Sequence, residues 1–187
     1  MAEDDIIQYW KDFHRKISDA LNCKYLETGV TLEAVKNMVE QNEFLVRNSQ
    51  VVRTGVATVV TRQKNNIWEV LLGKRCGTFR PGVFALPGGK PDFGESPEDT
   101  AKRETFEECG LELGALTQVG WINNYFPNDN QHWCTICYLC KYFTGKPSVK
   151  ELDKFKNWDW YSFNDLPSPL WKGLDVILKR SHNILKP

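Results

Sequence analysis

Three glutamates crowd one short segment of this 187-residue chain: Glu104, Glu107 and Glu108, related by i+3 and i+4. The segment carries helix signals at both ends. Ser96 can accept from the free N–H groups of a first turn, Pro97 suits the first helical position, and Glu98 and Asp99 stand where the helix dipole favours acids. Gly110 stands where helices commonly end in a left-handed conformation. Together these predict a helix over about 97–109. The three acids then lie within about 100° of one face, and like charges so placed destabilise a bare helix. Either solvent and basic side chains relieve the repulsion, or a divalent cation does. Clustered hard oxygen donors suit Mg²⁺ or Mn²⁺, and the lack of a neighbouring histidine counts against zinc. The surroundings favour the cation. Gly88-Gly89 permits close approach of backbone to a metal or phosphate, and Arg103 can fix Glu104 by a charge-assisted bond. Glu95, in the loop leading to the helix, can bond within that loop or orient a ligand.

Composition narrows the remaining classes. The chain is 26% charged and 41% hydrophobic with a formal net charge of zero, which suits one sizeable core. No bulk attraction to nucleic acid or to an anionic membrane is implied, so strong nucleic-acid binding is not expected. No apolar run approaches the ~20 residues of a membrane span. The N-terminal MAEDDIIQYW is acidic where a secretory signal is basic and then apolar. A cytoplasmic protein is expected.

Residues 3–22 read as an amphipathic helix through Ile6, Trp10, Phe13, Ile17 and Leu21, and a second helical pattern follows Thr31. These elements form an N-terminal extension over residues 1–50 that packs on the main body, residues 51–187. The extension offers a homodimer surface, a lid or a plain cover, and the sequence leaves these open. From Val51 the texture becomes β-rich: VVRTGVATVVTR and IWEVLLGKR flank a turn at 63–66, and further strands are expected at 115–126, 132–143 and 157–163. A last helix is expected from Trp171 to about Leu185. The irregular alternation of elements predicts an α+β domain with a mixed sheet. Cys134, Cys137 and Cys140 are spaced C-x-x-C-x-x-C, which superficially matches an iron–sulfur run. On a strand, side chains three apart face opposite ways, so these are read as free strand thiols.

The full pattern is more specific than its parts. Gly89, five residues, Glu95, seven residues, Arg103-Glu104, two residues, Glu107-Glu108, one residue, Gly110-Leu111: this resembles the Nudix box. The seven residues other than Leu111, at roughly 1 in 15 each, give a chance on the order of 10⁻⁸ per starting point. Thr105 departs from the usual aliphatic residue but keeps a β-branch. LLGKR, FALPGGKPDFGES, NNYFPNDNQHWCTI and NWDWYSFNDLPSPLW resemble a MutT-like nucleotide triphosphatase branch, which includes the MutT-homolog-2 type and plant dihydroneopterin triphosphate pyrophosphohydrolases. The resemblance covers about 51–180.

It implies the Nudix α/β/α sandwich with a mixed β-sheet, and Mg²⁺-dependent hydrolysis of a nucleoside diphosphate linked to a group X, with Mn²⁺ as a substitute ion. The expected reaction takes a (d)NTP to its monophosphate and pyrophosphate, serving nucleotide pool sanitation or turnover. Carried over from the box, Glu104 and Glu108 are the principal metal ligands and Glu107 is a third ligand or a base. A carbonyl of Gly88 or Gly89 completes the shell, and Arg103 orients Glu104. The catalytic group is thus Arg103, Glu104 and Glu107, with the general base left open. Glu151, seven residues before the first Trp of NWDW, is the candidate for a further loop acid, against the reading of a solvated glutamate. Arg75, Phe84, Tyr125, His132, Trp133 and Trp171 are the candidate substrate-binding residues, with Phe79 and Phe126 as further stacking candidates.

Three rivals remain. Pro127 stands sixteen residues after the box, a spacing associated with ADP-ribose and ADP-sugar hydrolysis, but the rest of the pattern follows the triphosphatase branch. An mRNA cap hydrolase is disfavoured by the zero net charge. A non-catalytic nucleotide-binding module would be expected to lose box glutamates, and all are present.

Overall fold

The computed structural model describes residues 51–77 and 79–186. The helices expected within 3–22 and after Thr31 lie outside the described residues, as does the 1–50 extension they would form.

The first strand, β1, runs from Val52 to Lys64 and is the longest. It is buried from Gly55 through Thr61 with one interruption at Ala57, as expected of a strand covered on both faces. Asn65 and Asn66, both at positive φ (50° and 62°), turn the chain into β2, Ile67–Arg75. Asparagine tolerates that conformation, and the two-residue turn is tighter than the four-residue one predicted. Two-residue strands follow at Phe84–Ala85 (β3) and Gly88–Gly89 (β4). Then come helix α1, Pro97–Cys109, β5 at Glu112–Leu113, β6 at Leu116–Phe126, and β7 at Gln131–Cys140. β8 at Phe143–Thr144, β9 at Phe155–Ser162 and helix α2 at Leu174–Leu185 complete the chain.

β1 organises the mixed sheet. Along one edge it pairs antiparallel with β4 at Val56–Gly89, then with β2 from Thr61–Val70 onward. Along the other it runs parallel to β7 from Val52–His132 to Val60–Cys140. β6 and β9 extend the sheet beyond β7 and β2. The alternation of β1 assigns its faces. Val56 and Val60 pack toward Ala101 and Cys109 of α1, and Val59 packs toward Ile177 and Leu178 of α2. The result is helix, sheet, helix.

Both ends of α1 follow from local chemistry. Ser96 Oγ accepts from the Asp99 N–H at 3.1 Å, and Gly110, at φ 73°, donates its N–H to the Phe106 carbonyl at 2.9 Å. The second helix begins three residues later than predicted. Gly173, at φ 78°, is its N-cap and leaves Trp171 in the preceding loop. A Cβ on Gly173 would come within 2.6 Å of Ile122 Cγ2, so this corner is closed to larger residues. On β7, Cys137 and Cys140 are buried, Cys134 is half-buried, and none is in a disulfide. Cys137 faces opposite to the other two, which stand about 20 Å apart along the strand. Among the described residues, no helix is long and apolar enough to cross a membrane.

Because α1 carries the acids, its cap is a direct handle on the site. Ser96→Ala is expected to lower unfolding free energy by about 1 kcal/mol. Equilibrium denaturation checks this, and an unchanged midpoint would show that the cap contributes nothing.

Candidate active site

Arg103, in the middle of α1, reaches back to the lead-in loop. Its Nε and Nη2 donate to the two carboxylate oxygens of Glu95, each at 2.8 Å, and Nη2 also donates to the Lys90 carbonyl at 3.0 Å. Nη1 donates to Glu104 at 3.0 Å and Glu107 at 3.1 Å. Glu95 accepts in addition from the Asp92 N–H and from Thr100 Oγ1. Such a bidentate, charge-assisted pair is geometrically demanding. The Arg103 guanidinium, followed by the Asp92 N–H, holds the Glu95 carboxyl down to about 2. Glu95 is thus a structural clamp for Arg103.

Glu104 and Glu108 turn inward, and Glu107 is exposed. The Gly88 N–H donates to Glu108 Oε2 at 2.9 Å. A Cβ built on Gly89 would come within 2.3 Å of the Glu104 carboxyl carbon, so that carboxylate occupies the space that any other residue at 89 would fill. The C-terminal end of α1 in turn places Glu151. Ser148 and Lys150 donate their N–H groups to the Cys109 and Glu108 carbonyls, and Trp158 Nε1 donates to the same Glu108 carbonyl at 3.1 Å. These bonds satisfy orphan helix carbonyls and pin the chain immediately before Glu151. Glu151 Oε1 pairs with Lys154 Nζ at 2.8 Å, while its Oε2 is buried without a hydrogen-bond partner.

This arrangement is short of positive charge. Burial, with smaller contributions from the negative charges of Glu104 and Glu151, pushes the Glu108 carboxyl up to about 8, against the opposing Gly88 N–H bond. Among the described residues, no three His, Cys, Asp or Glu side chains converge tightly enough to cage an ion by themselves. The donor set nevertheless fits a hard divalent cation whose shell is completed by backbone, water or substrate oxygens. The buried, unpartnered Glu151 oxygen and the buried Glu108 carboxyl beside it are the observations in favour.

Beside the acids lies a cleft of about 230 Å³. Arg75, Phe79, Gly88, Gly89, Trp133 and Trp171 border it. Phe79 and Trp171 meet edge-on with ring centroids 5.8 Å apart, and Arg75 stands 5.2 Å from the Trp171 ring centroid. Lys90 Nζ lies 5.4 Å from the centroid of Trp133. Gly88 and Gly89 belong to both halves: one side faces the carboxylates and the other lines the cleft.

Of the residues singled out from sequence, Arg103, Glu104, Glu107, Glu108, Gly88, Gly89 and Glu151 stand at the acidic end. Arg75, Trp133 and Trp171 stand in the cleft. Phe84, Tyr125 and His132 line neither. Phe84 is buried in the core against Tyr161. Tyr125 and His132 are directly paired across β6 and β7 and touch each other on the face opposite to Trp133. Strand alternation is the cause: Trp133 and its partner Asn124 face the cleft, so their neighbours cannot. Phe126 is buried behind Phe79 and Trp171. Asn124 was missed from sequence. It is 1% exposed with both amide atoms unpartnered, a situation that costs about 1–3 kcal/mol. The placing of Asn124 at alternate positions with Ile122 and Phe126 in a strand was the signal that could have found it.

The profile of the NUDIX domain matches residues 51–180. Among curated proteins, the NAD-capped RNA hydrolase NudC of Pseudomonas aeruginosa is 34% identical over 99 residues, 53% of this chain and 34% of that protein. The oxidized purine nucleoside triphosphate hydrolase of Mus musculus is 32% identical over 103 residues, 54% of this chain and 64% of that protein. The chain thus spans less than two thirds of the length of either relative. Among solved structures, a MutT NUDIX hydrolase from Burkholderia pseudomallei matches with TM-score 0.64 at 30% identity, covering 70% of this chain and 98% of that one.

A raised carboxyl has a defined effect on stability. Burial holds the Glu108 proton in the fold up to about 8, whereas in the unfolded chain, where burial is absent, it is lost near 4.5. Between those values the folded state binds more protons, so the stability of the metal-free protein falls as pH rises. Glu108→Gln is expected to flatten that slope. Denaturation midpoints measured from pH 4 to 9 in a chelator check this, and parallel profiles for the two proteins would contradict it.

Proposed function

The chain belongs to the NUDIX domain family, and from that premise we propose that it hydrolyses a nucleoside triphosphate to the monophosphate and pyrophosphate. The observation that carries this reading is the meeting of two unlike half-sites at Gly88-Gly89. One is a carboxylate cluster short of positive charge, and the other is an aromatic cleft with cationic edges. A nucleotide has the same two-part character, with a polyanionic tail and a flat aromatic head. The oxidized purine nucleoside triphosphate hydrolase among the relatives supports a triphosphate as the substrate.

Glu104, Glu108 and Glu151, with a backbone oxygen of Gly88 or Gly89, are the groups that would hold Mg²⁺, or Mn²⁺ in its place, and Glu107 is a further ligand or base. When bound, the cation supplies positive charge against phosphate oxygens and acidifies water. The chain's own residues do the positioning. Arg103, clamped by Glu95, orients Glu104 and touches Glu107. Glu104 and Glu107 are the carboxylates from which the general base is drawn. Phe79, Trp133 and Trp171 shelter the base from water, and Arg75 and Lys90 place positive charge beside the Gly88-Gly89 backbone, where the phosphates would lie. Such fixed charges stabilise a phosphoryl-transfer transition state without reorganising.

The test is a product assay with Mg²⁺ and a panel of ordinary and oxidised nucleoside triphosphates, ADP-ribose and capped dinucleotides. Pyrophosphate and a nucleoside monophosphate are expected from a triphosphate, and Glu108→Gln should lower turnover by about 10²–10³. AMP and ribose phosphate from ADP-ribose, with triphosphates untouched, would move the assignment to an ADP-sugar hydrolase. Full turnover in Glu108→Gln at saturating Mg²⁺ would remove the acid cluster from the reaction.

A further inference from the structure

Asn124 is a buried amide in the cleft whose donor and acceptor are both unused. Its neighbours on the inner face of β6 are Ile122 and Phe126, so an apolar side chain would suit the same environment. It pairs across the sheet with Trp133, which lines the same cleft. Among the described residues, the other buried side-chain atoms without partners belong to Thr58, Thr105, Glu151 and Ser181, and none of these borders the cleft. A buried polar group left unpaired opposes folding, which makes an incoming partner the economical explanation.

The chemistry of that partner follows from the amide. A carboxamide presents an N–H donor beside a carbonyl acceptor, and its complement is a flat edge carrying an acceptor beside a donor. Phosphate oxygens at neutral pH offer acceptors only. A nucleobase edge offers both, as in the bidentate recognition of adenine by asparagine, and the cleft's rings supply stacking faces. We infer that Asn124 is the specificity-determining residue of the cleft and reads the hydrogen-bonding edge of the nucleobase. This rests on the cleft holding the base, as in the proposed function, but not on hydrolysis taking place. It also distinguishes shape from chemistry: the aromatic walls accept any flat ring, and the amide rejects rings that leave it unpaired.

The experiment measures binding without metal, so that a failure of the hydrolytic reading leaves it interpretable. Calorimetry in a chelator compares the four nucleoside monophosphates, the preferred base's ring system lacking exocyclic groups, and ribose 5-phosphate. The wild-type protein is expected to bind its preferred nucleotide about tenfold or more tightly than the ligand lacking those groups. Asn124→Leu should reduce that ratio to about threefold or less, with a thermal midpoint equal to or above wild type because the orphan amide is gone. Asn124→Met serves as the second variant if the leucine side chain does not fit, and the ligand-side comparison needs no variant. An unchanged ratio in a folded variant would overturn the inference. So would a wild-type protein that binds the stripped ring as tightly as the intact base. Binding with the expected ratio but no hydrolysis would refute the proposed function and leave this assignment standing.

Discussion

The guanidinium of Arg103 holds the acidic helix to the loop that precedes it. Its bidentate bond to Glu95 fixes one side, its bonds to Glu104 and Glu107 fix the other, and the Lys90 carbonyl closes the set. Without it, neighbouring carboxylates would splay apart by repulsion. With it, Glu104 is directed at Gly89 and Glu108 is left to reach the Gly88 N–H. The remaining acid, Glu151, is placed by a separate device, the bonding of residues 148–150 to the exposed carbonyls at the end of α1. Two independent anchors therefore bring carboxylates from distant parts of the chain to one side of the Gly88-Gly89 strand.

That strand is only two residues long, yet it sets the geometry of the site. Its pairing with Val56 and Ala57 locks it to the buried middle of β1. A Cβ on Gly88 would overlap the Val56 carbonyl at 2.1 Å, and one on Gly89 would overlap the Glu104 carboxylate. Glycine at both positions is what lets backbone, carboxylate and cleft share one location. The electrostatic consequence is the buried Glu108 carboxyl at about 8, a group whose environment favours either a proton or a cation.

How far the sequence revealed this depended on whether the determining forces were local. The bounds of α1 were legible because Ser96, Pro97 and Gly110 act on the backbone beside them. The long strands were legible from their composition and the intervening turn. The strands at Phe84–Ala85 and Gly88–Gly89 were not, because they exist through pairing with β1 and β2 rather than through any preference of their own. Which aromatic residues face the cleft was equally hidden. Tyr125, His132 and Trp133 look alike as stacking candidates, and only the register of β6 on β7, together with the side that α2 covers, separates Trp133 from the other two. Trp171 was assigned to a helix that begins at Leu174, since nothing before Gly173 in sequence announces that its φ is positive. Asn124 escaped because, within the strand expected at 115–126, the sequence does not say whether a polar residue faces solvent or the interior.

The central claim is that a divalent cation and the tail of a nucleotide meet at Gly88-Gly89, with the base in the adjoining cleft. The most direct measurement is a Mn²⁺ titration of the isotopically labelled protein followed by amide NMR, with and without a non-hydrolysable nucleotide. Paramagnetic broadening is expected first at Gly88, Gly89, Glu104, Glu108 and Glu151, and the Trp133 and Trp171 indole signals should shift with the nucleotide but not with the ion alone. Broadening centred elsewhere, or indole signals indifferent to the nucleotide, would contradict the account.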